Sequence, residues 1–151
     1  MATRRWPGTK GCDRGAAVVE FALLLPALLL LVFGIIDFGR ALNAQITLTQ
    51  AAREGARLDS TCNATVNANC GTTVQNRTVT AAPGLNPALD PKIVSVTTCS
   101  QGAGQGVNAT VTITSYPFKF VTPIGAIAKL IAGSGFKPLQ LSATGVMPCE
   151  T

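Results

Sequence analysis

The alternation of hydrophobic and polar positions divides the chain sharply. From Ala16 to Ile36 it reads AAVVEFALLLPALLLLVFGII, apolar throughout except for Glu20. As a helix these residues extend about 31 Å, enough to cross a hydrocarbon core of about 30 Å. Helix is the form that satisfies every backbone polar group within one segment in lipid. Pro26 is expected to kink it, because the proline ring displaces the carbonyl four residues back. The pattern then changes. Between Phe38 and Arg57, Phe38, Leu42, Ile46, Thr49, Ala52 and Ala56 recur at helical spacing, with Arg40, Asn43, Thr47, Gln50, Arg53 and Arg57 largely elsewhere around the axis. This predicts an amphipathic helix over 37–59 that continues the span and packs on its own domain through that apolar stripe.

Beyond the helix, Ser60 to Pro91 is rich in Asn, Thr, Ala and Pro without a sustained period and reads as loop. Strands follow. Ile93, Val94 and Val96 open the first, which ends near Cys99, and the glycines of SQGAGQG mark a turn. Val107 to Tyr116 alternates, with Val107, Ala109, Val111, Ile113 and Ser115 on one face and Asn108, Thr110, Thr112, Thr114 and Tyr116 on the other. Leu139, Leu141, Ala143 and Gly145 alternate likewise in a third strand. Ile124, Ile127, Leu130 and Ile131 have helical spacing between the last two strands. They read as a short core helix, with a surface touching the membrane or a neighbouring subunit as the alternative. The expected fold is α+β: a long N-terminal helix, transmembrane then amphipathic, on a small three-stranded antiparallel sheet. The chain divides into a basic, loosely held leader (1–15), a transmembrane helix (16–36), an amphipathic helix (37–59) and a small extracytoplasmic β-rich domain (60–151).

Charge refines this layout. The net charge is +5, of which Arg4, Arg5, Lys10 and Arg14 against Asp13 place +3 ahead of the span. The remaining cations are scattered, with no stripe to track phosphates, which excludes nucleic acid as a partner. Cations before the span and Asp37 just after it place the N-terminus in the cytoplasm and the domain outside it. No histidine is present, no nucleophile–base motif appears, and no glycine-rich phosphate loop follows a strand. The chain reads as a non-enzyme without cofactor or metal.

Of five cysteines, Cys12 lies in the leader, whereas Cys62, Cys70, Cys99 and Cys149 all follow the span. Zinc is the rival to disulfides, but none of the four forms a close C-x2-C or C-x4-C pair. An even set outside the cytoplasm implies an oxidising compartment. In a meander the first strand ends, and the third ends, at the same edge of the sheet. That pairs Cys99 with Cys149 and leaves Cys62 with Cys70.

Glu20 is the residue a plain anchor has no reason to carry, since a carboxylate near the bilayer centre costs about 2.5–3.5 kcal/mol. On the residues alone two readings stand. Its carboxylate snorkels to the headgroups, or it pairs with a free α-amino group on an adjacent helix shifted by one turn. Cleavage after Gly15 would create that amine at Ala16.

The segment RGAAVVEFALLLPALLLLVFGIIDFGRA resembles the N-terminus of TadE-like proteins, the pilin-like components of tight-adherence pilus systems. The resemblance rests on Arg14-Gly15, Glu20-Phe21, Pro26, Gly34 and Asp37-Phe38-Gly39-Arg40. Ala51-Ala52-Arg53-Glu54-Gly55-Ala56-Arg57 resembles the family's downstream helix, and LSATGVMPCE its final strand. The resemblance implies cleavage between Gly15 and Ala16 by a prepilin peptidase and recruitment into the pilus through Glu20, with Phe21 beside it. It also implies a single-pass minor pilin, pseudopilin or assembly component whose partners are other pilin-like subunits, the peptidase and membrane lipid. The rival is a secreted or anchored disulfide-stapled domain unrelated to pili. Leu42-Asn43-Ala44 is a tolerable signal-peptidase end, but the apolar stretch exceeds a usual signal core and contains Glu20.

Overall fold

The computed structural model describes residues 13–62, 69–99, 107–123, 125–126, 129–130, 133 and 139–149. Leader residues 1–12 with Cys12, the glycine turn at 100–106 and Ile124, Ile127 and Ile131 lie outside the described residues. Helix α1 (Asp13–Thr61) runs unbroken through Pro26. It begins three residues ahead of Ala16, so the end of the expected leader, Asp13–Gly15, is helical. A second helix, α2 (Cys70–Thr80), corrects the reading of 60–91 as loop. A 3-10 turn at Pro91–Ile93 leads into β1 (Val94–Thr97), followed by β2 (Asn108–Pro117) and β3 (Gln140–Pro148). The strands form an antiparallel meander in the order β1-β2-β3, as the alternation predicts.

Register explains the disulfides. Thr97 pairs with Thr110 and Asn108 with Pro148, so the ends of β1 and β3 meet at the start of β2. Cys149 adds one more bond there, donating its N–H to the Val107 carbonyl at 3.0 Å. Cys99 and Cys149 are joined across a Cα–Cα distance of 5.9 Å, and Cys62 and Cys70 across 6.0 Å. The four thiols are thus consumed pairwise, as expected from the strand order.

Strict alternation fails in the second half of β2. Ile113 pairs with Ala143 but Tyr116 with Leu141, so β2 carries one extra residue there. Ser115 takes a φ of 56°, uncommon outside glycine. The bulge turns Ser115 outward and Tyr116 inward, the reverse of the expected faces. Buried Tyr116 then donates its hydroxyl to the Pro87 carbonyl at 2.6 Å, which satisfies the one polar atom it carries inside. Val107 and Leu139 stay partly exposed just outside their strands.

The sheet packs on α1 and α2, and the face of α1 that it covers is the expected one at Ala52 and Ala56 but not at Phe38, Leu42 and Ile46. Phe38, Leu42 and Ile46 are exposed; Ala44, Leu48, Ala51, Ala52 and Ala56 are buried. The reason is distance. Small residues let the helix backbone approach the sheet so closely that a Cβ on Gly145 of β3 would overlap the Ala52 carbonyl and lie 2.7 Å from the Arg53 nitrogen. A face built from Phe38, Leu42 and Ile46 would hold the two apart. Gln45 fixes the contact by donating from Nε2 to the Ser142 carbonyl at 2.7 Å.

Helix α2 packs on α1 beside the sheet, with Gly55 of α1 facing both Thr78 of α2 and Val111 of β2. Its buried positions, Cys70, Val74 and Thr78, recur every four residues. Gly55 leaves room for the Thr78 hydroxyl, and Arg77 meets Glu54 at 2.8 Å. Tertiary contact and the Cys62–Cys70 bond hold a segment whose Thr-rich composition favours helix only weakly.

Candidate assembly and membrane site

The domain covers α1 only from its outer half. Residues 17–32 are exposed along the whole circumference, and an 18-residue window there has a mean hydropathy of 2.6 with nothing covering it. A helix apolar all round and bare in the monomer finds its partners in lipid or in other helices. Of the residues singled out in the sequence, Gly15, Ala16, Glu20, Phe21 and Pro26 all fall on or beside this bare stretch. The fold brings none of them against the domain. Glu20 is exposed one turn beyond Ala16 and makes no ion pair or side-chain hydrogen bond among the described residues. Pro26 removes the bond to the Ala22 carbonyl in the midst of it.

Beyond the bare stretch, the exposed apolar surface does not stop where the domain begins. Ile35, Phe38, Leu42 and Ile46 continue it outward at spacings of three and four, each at least half exposed. On the opposite side of the helix the small residues meet the sheet. α1 therefore presents two apolar faces, a small one to its own domain and a large one to the outside.

Between the two regimes lies a neck. Asp37 is only 2% exposed, and its carboxylate accepts hydrogen bonds from the Val121 N–H, at 3.3 Å, and from the Thr122 hydroxyl. Arg40, one turn on, lies 3.5 Å from Asp37 and stacks its guanidinium over the Phe118 ring at 5.6 Å. Phe118 in turn meets Phe120 edge to face. A segment 84 residues away in sequence is thereby fixed at the outer end of the apolar helix. Sequence reading placed Asp37 there as a flanking charge but had no signal for its partners.

Asp59 is the second buried acid, at the outer end of α1 beside Cys62. Neither of its carboxylate oxygens reaches a donor at hydrogen-bonding geometry among the described residues. Burial pushes its pKa up, and the nearby Cys99 amide only partly offsets this. A pKa raised by folding means that the folded state holds the proton more tightly. Stability therefore falls as pH rises from the ordinary aspartate range toward the raised value, and the penalty stays constant above it. Asp59→Asn is expected to be more stable than the parent at pH 7, by about 1.4 kcal/mol per unit of pKa elevation. The difference should vanish near pH 3; equal denaturation midpoints at both pH values would show that the carboxylate is solvated.

The fold and this surface define a class: a disulfide-stapled α+β domain borne on a single N-terminal helix long and apolar enough for single-pass membrane anchoring. The family model for TadE-like protein matches residues 15–57, which hold the bare stretch, Asp37 and Arg40 of the neck, and the small-residue face. The resemblance read from the sequence is supported over those residues, and the sheet lies beyond them. No curated protein and no solved structure matches the chain.

Proposed function

We propose that the chain is a pilin-like component of a tight-adherence pilus system, held in the cytoplasmic membrane by residues 16–36 before assembly. Its N-terminus faces the cytoplasm and its domain the oxidising side. The observation that carries this reading is the large apolar face of α1, which runs from the bare stretch past the neck through Phe38, Leu42 and Ile46. Lipid accounts for covering the inner part. Beyond the neck the same face needs another protein helix, and a TadE-like match over this very segment supports a neighbouring pilin-like subunit.

In this reading a prepilin peptidase cuts after Gly15, where the missing Cβ lets an extended backbone enter a narrow site. The α-amino group of Ala16 then pairs with Glu20 of an adjacent subunit. The mature chain is expected to begin at Ala16 by mass spectrometry, and Gly15→Trp to retain the leader. A mature chain starting at Gln45 would instead identify a domain released by signal peptidase. That cut would fall next to Ala44, which is buried against the domain inside an unbroken helix.

Glu20→Ala should leave membrane insertion intact or improved, since it removes a charge from the apolar segment. Pilus assembly, counted by electron microscopy and surface adherence, should drop sharply. Normal piliation in that variant would leave snorkelling as the whole role of Glu20.

A further inference from the structure

The neck has a second surface. Because Asp37 grips Val121 and Thr122, the segment following β2 is held level with the end of the apolar span. At that level the segment exposes Val121 and Leu130, the latter at 86%. The described residues 125, 126, 129 and 130 are helical, as the spacing predicts, but Ala126, Lys129 and Leu130 face outward and Gly125 is half-buried, so Leu130 is not the core position expected of it. Lys119 and Lys129, ten positions apart, line one cleft of about 460 Å³ together with Phe118, Phe120 and Thr122, and among the described residues no carboxylate lines it. The Asp37 carboxylate is already engaged by Thr122, Val121 and Arg40.

Two exposed apolar side chains flanked by two cations that form no ion pair among the described residues, at the height where a span leaves the hydrocarbon, match one environment. It is apolar on one side and negatively charged on the other. We propose that the face formed by Lys119, Val121, Lys129 and Leu130 rests on the outer leaflet, with the two lysines against the phosphates of anionic phospholipids and Val121 and Leu130 in the interfacial zone. Lysine stems can lie along the apolar surface while their ammonium groups reach the headgroups. The domain is then docked on the membrane as well as anchored in it. The inference rests on membrane insertion of residues 16–36, so its test must separate the two.

The full chain carries a single tryptophan, Trp6. In a Trp6→Phe background, Leu130→Trp, Leu28→Trp and Thr80→Trp place one fluorophore at the proposed face, in mid-span and on the exposed flank of α2. Each is reconstituted into phosphatidylcholine bilayers with and without phosphatidylglycerol, using acyl chains brominated near the headgroup. The expected result is strong quenching for Leu130→Trp that deepens with phosphatidylglycerol, and none for Thr80→Trp. Adding Lys119→Gln and Lys129→Gln should lower the ratio of docked to free domain in the anionic bilayers about 25-fold, or about fivefold per lysine. Quenching of Leu28→Trp without quenching of Leu130→Trp overturns the docking and leaves the anchor standing. Loss of quenching at Leu28→Trp, even with bromines moved to the bilayer centre, overturns the anchor and the docking with it. Emission at position 130 that follows the protein-to-lipid ratio but not lipid charge would assign this face to another copy of the chain, and so also overturns the proposal.

Discussion

Gly145→Val is expected to destabilise the domain by at least about 3 kcal/mol, the upper part of the range for overpacking. For a folded unit of roughly 100 residues, this lowers the melting temperature by about 12–24 °C. The cause is that the atoms in the way are backbone. A Cβ at 145 collides with the Ala52 carbonyl group and the Arg53 nitrogen, and neither can rotate aside. α1 would have to lift off β3, taking Leu48, Ala51, Ala52 and Ala56 out of their contacts. Gly39→Ala is the internal comparison, because nothing lies within 4 Å of the Cβ it adds. There the reduced freedom of the unfolded chain should give a gain of about 0.5–1 kcal/mol. Thermal unfolding of both variants, followed by circular dichroism in the same detergent, checks the signs. A Gly145→Val protein that melted like the parent would mean that helix and sheet are not in such close contact.

The second large effect belongs to the bond between the two strand ends. Replacing Cys99 and Cys149 together by alanine reopens a ring with a sequence separation of 50. The chain-entropy argument puts the loss at about 4 kcal/mol, against about 2.6 kcal/mol for removing the bond between Cys62 and Cys70, separated by 8. The order of the two midpoints in guanidinium is the test. If the short ring mattered more, α2, whose N-terminus it pins, would be the weaker part of the fold. Non-reducing peptide maps should contain Cys99–Cys149 and Cys62–Cys70 peptides in the parent protein.

The features legible in the sequence are those written locally. A run of 21 nearly uninterrupted apolar residues predicts a helix of membrane length, and three alternating segments joined in chain order admit few sheets. From the sheet order the cysteine pairing followed. What escaped was set by partners distant in sequence. Helix α2 consists of Cys, Gly, Thr, Val, Gln, Asn and Arg, and little in its composition favours a helix. It forms because Val74 and Thr78 find the surface of α1 and Arg77 finds Glu54. The inserted residue at Ser115 reversed the phase of a single turn of strand. A hint was available, since strict alternation puts a serine on the face of Val111 and Ile113 and the only tyrosine on the face of the threonines. In the amphipathic part of α1 the expected stripe is buried at Ala52 and Ala56 but exposed at Phe38, Leu42 and Ile46, because both sides of the helix are apolar there. Phe38, Leu42 and Ile46 are larger and weigh more in any periodicity, yet a close helix–sheet contact selects Ala51, Ala52, Gly55 and Ala56. The neck pair of Asp37 and Thr122 spans 85 positions and leaves no periodic trace.

That α1 is one helix from Asp13 to Thr61 has a mechanical consequence. Many anchored domains hang from a flexible linker, which absorbs a pull before the fold feels it. Here a tug on the apolar half is delivered along the helix axis straight into the helix that forms the centre of the core. At the neck it first loads the bonds from Asp37 to Val121 and Thr122. Further on it strains, as a shear, the contacts of Ala44, Leu48, Ala51, Ala52 and Ala56 with the sheet. Contacts loaded in shear share the force and must give way together, whereas a frayed linker yields one residue at a time. The two disulfides close the far end, tying β1 to β3 and the end of α1 to the start of α2. Tension that enters at the span therefore meets a covalently bounded unit with no slack between grip and core.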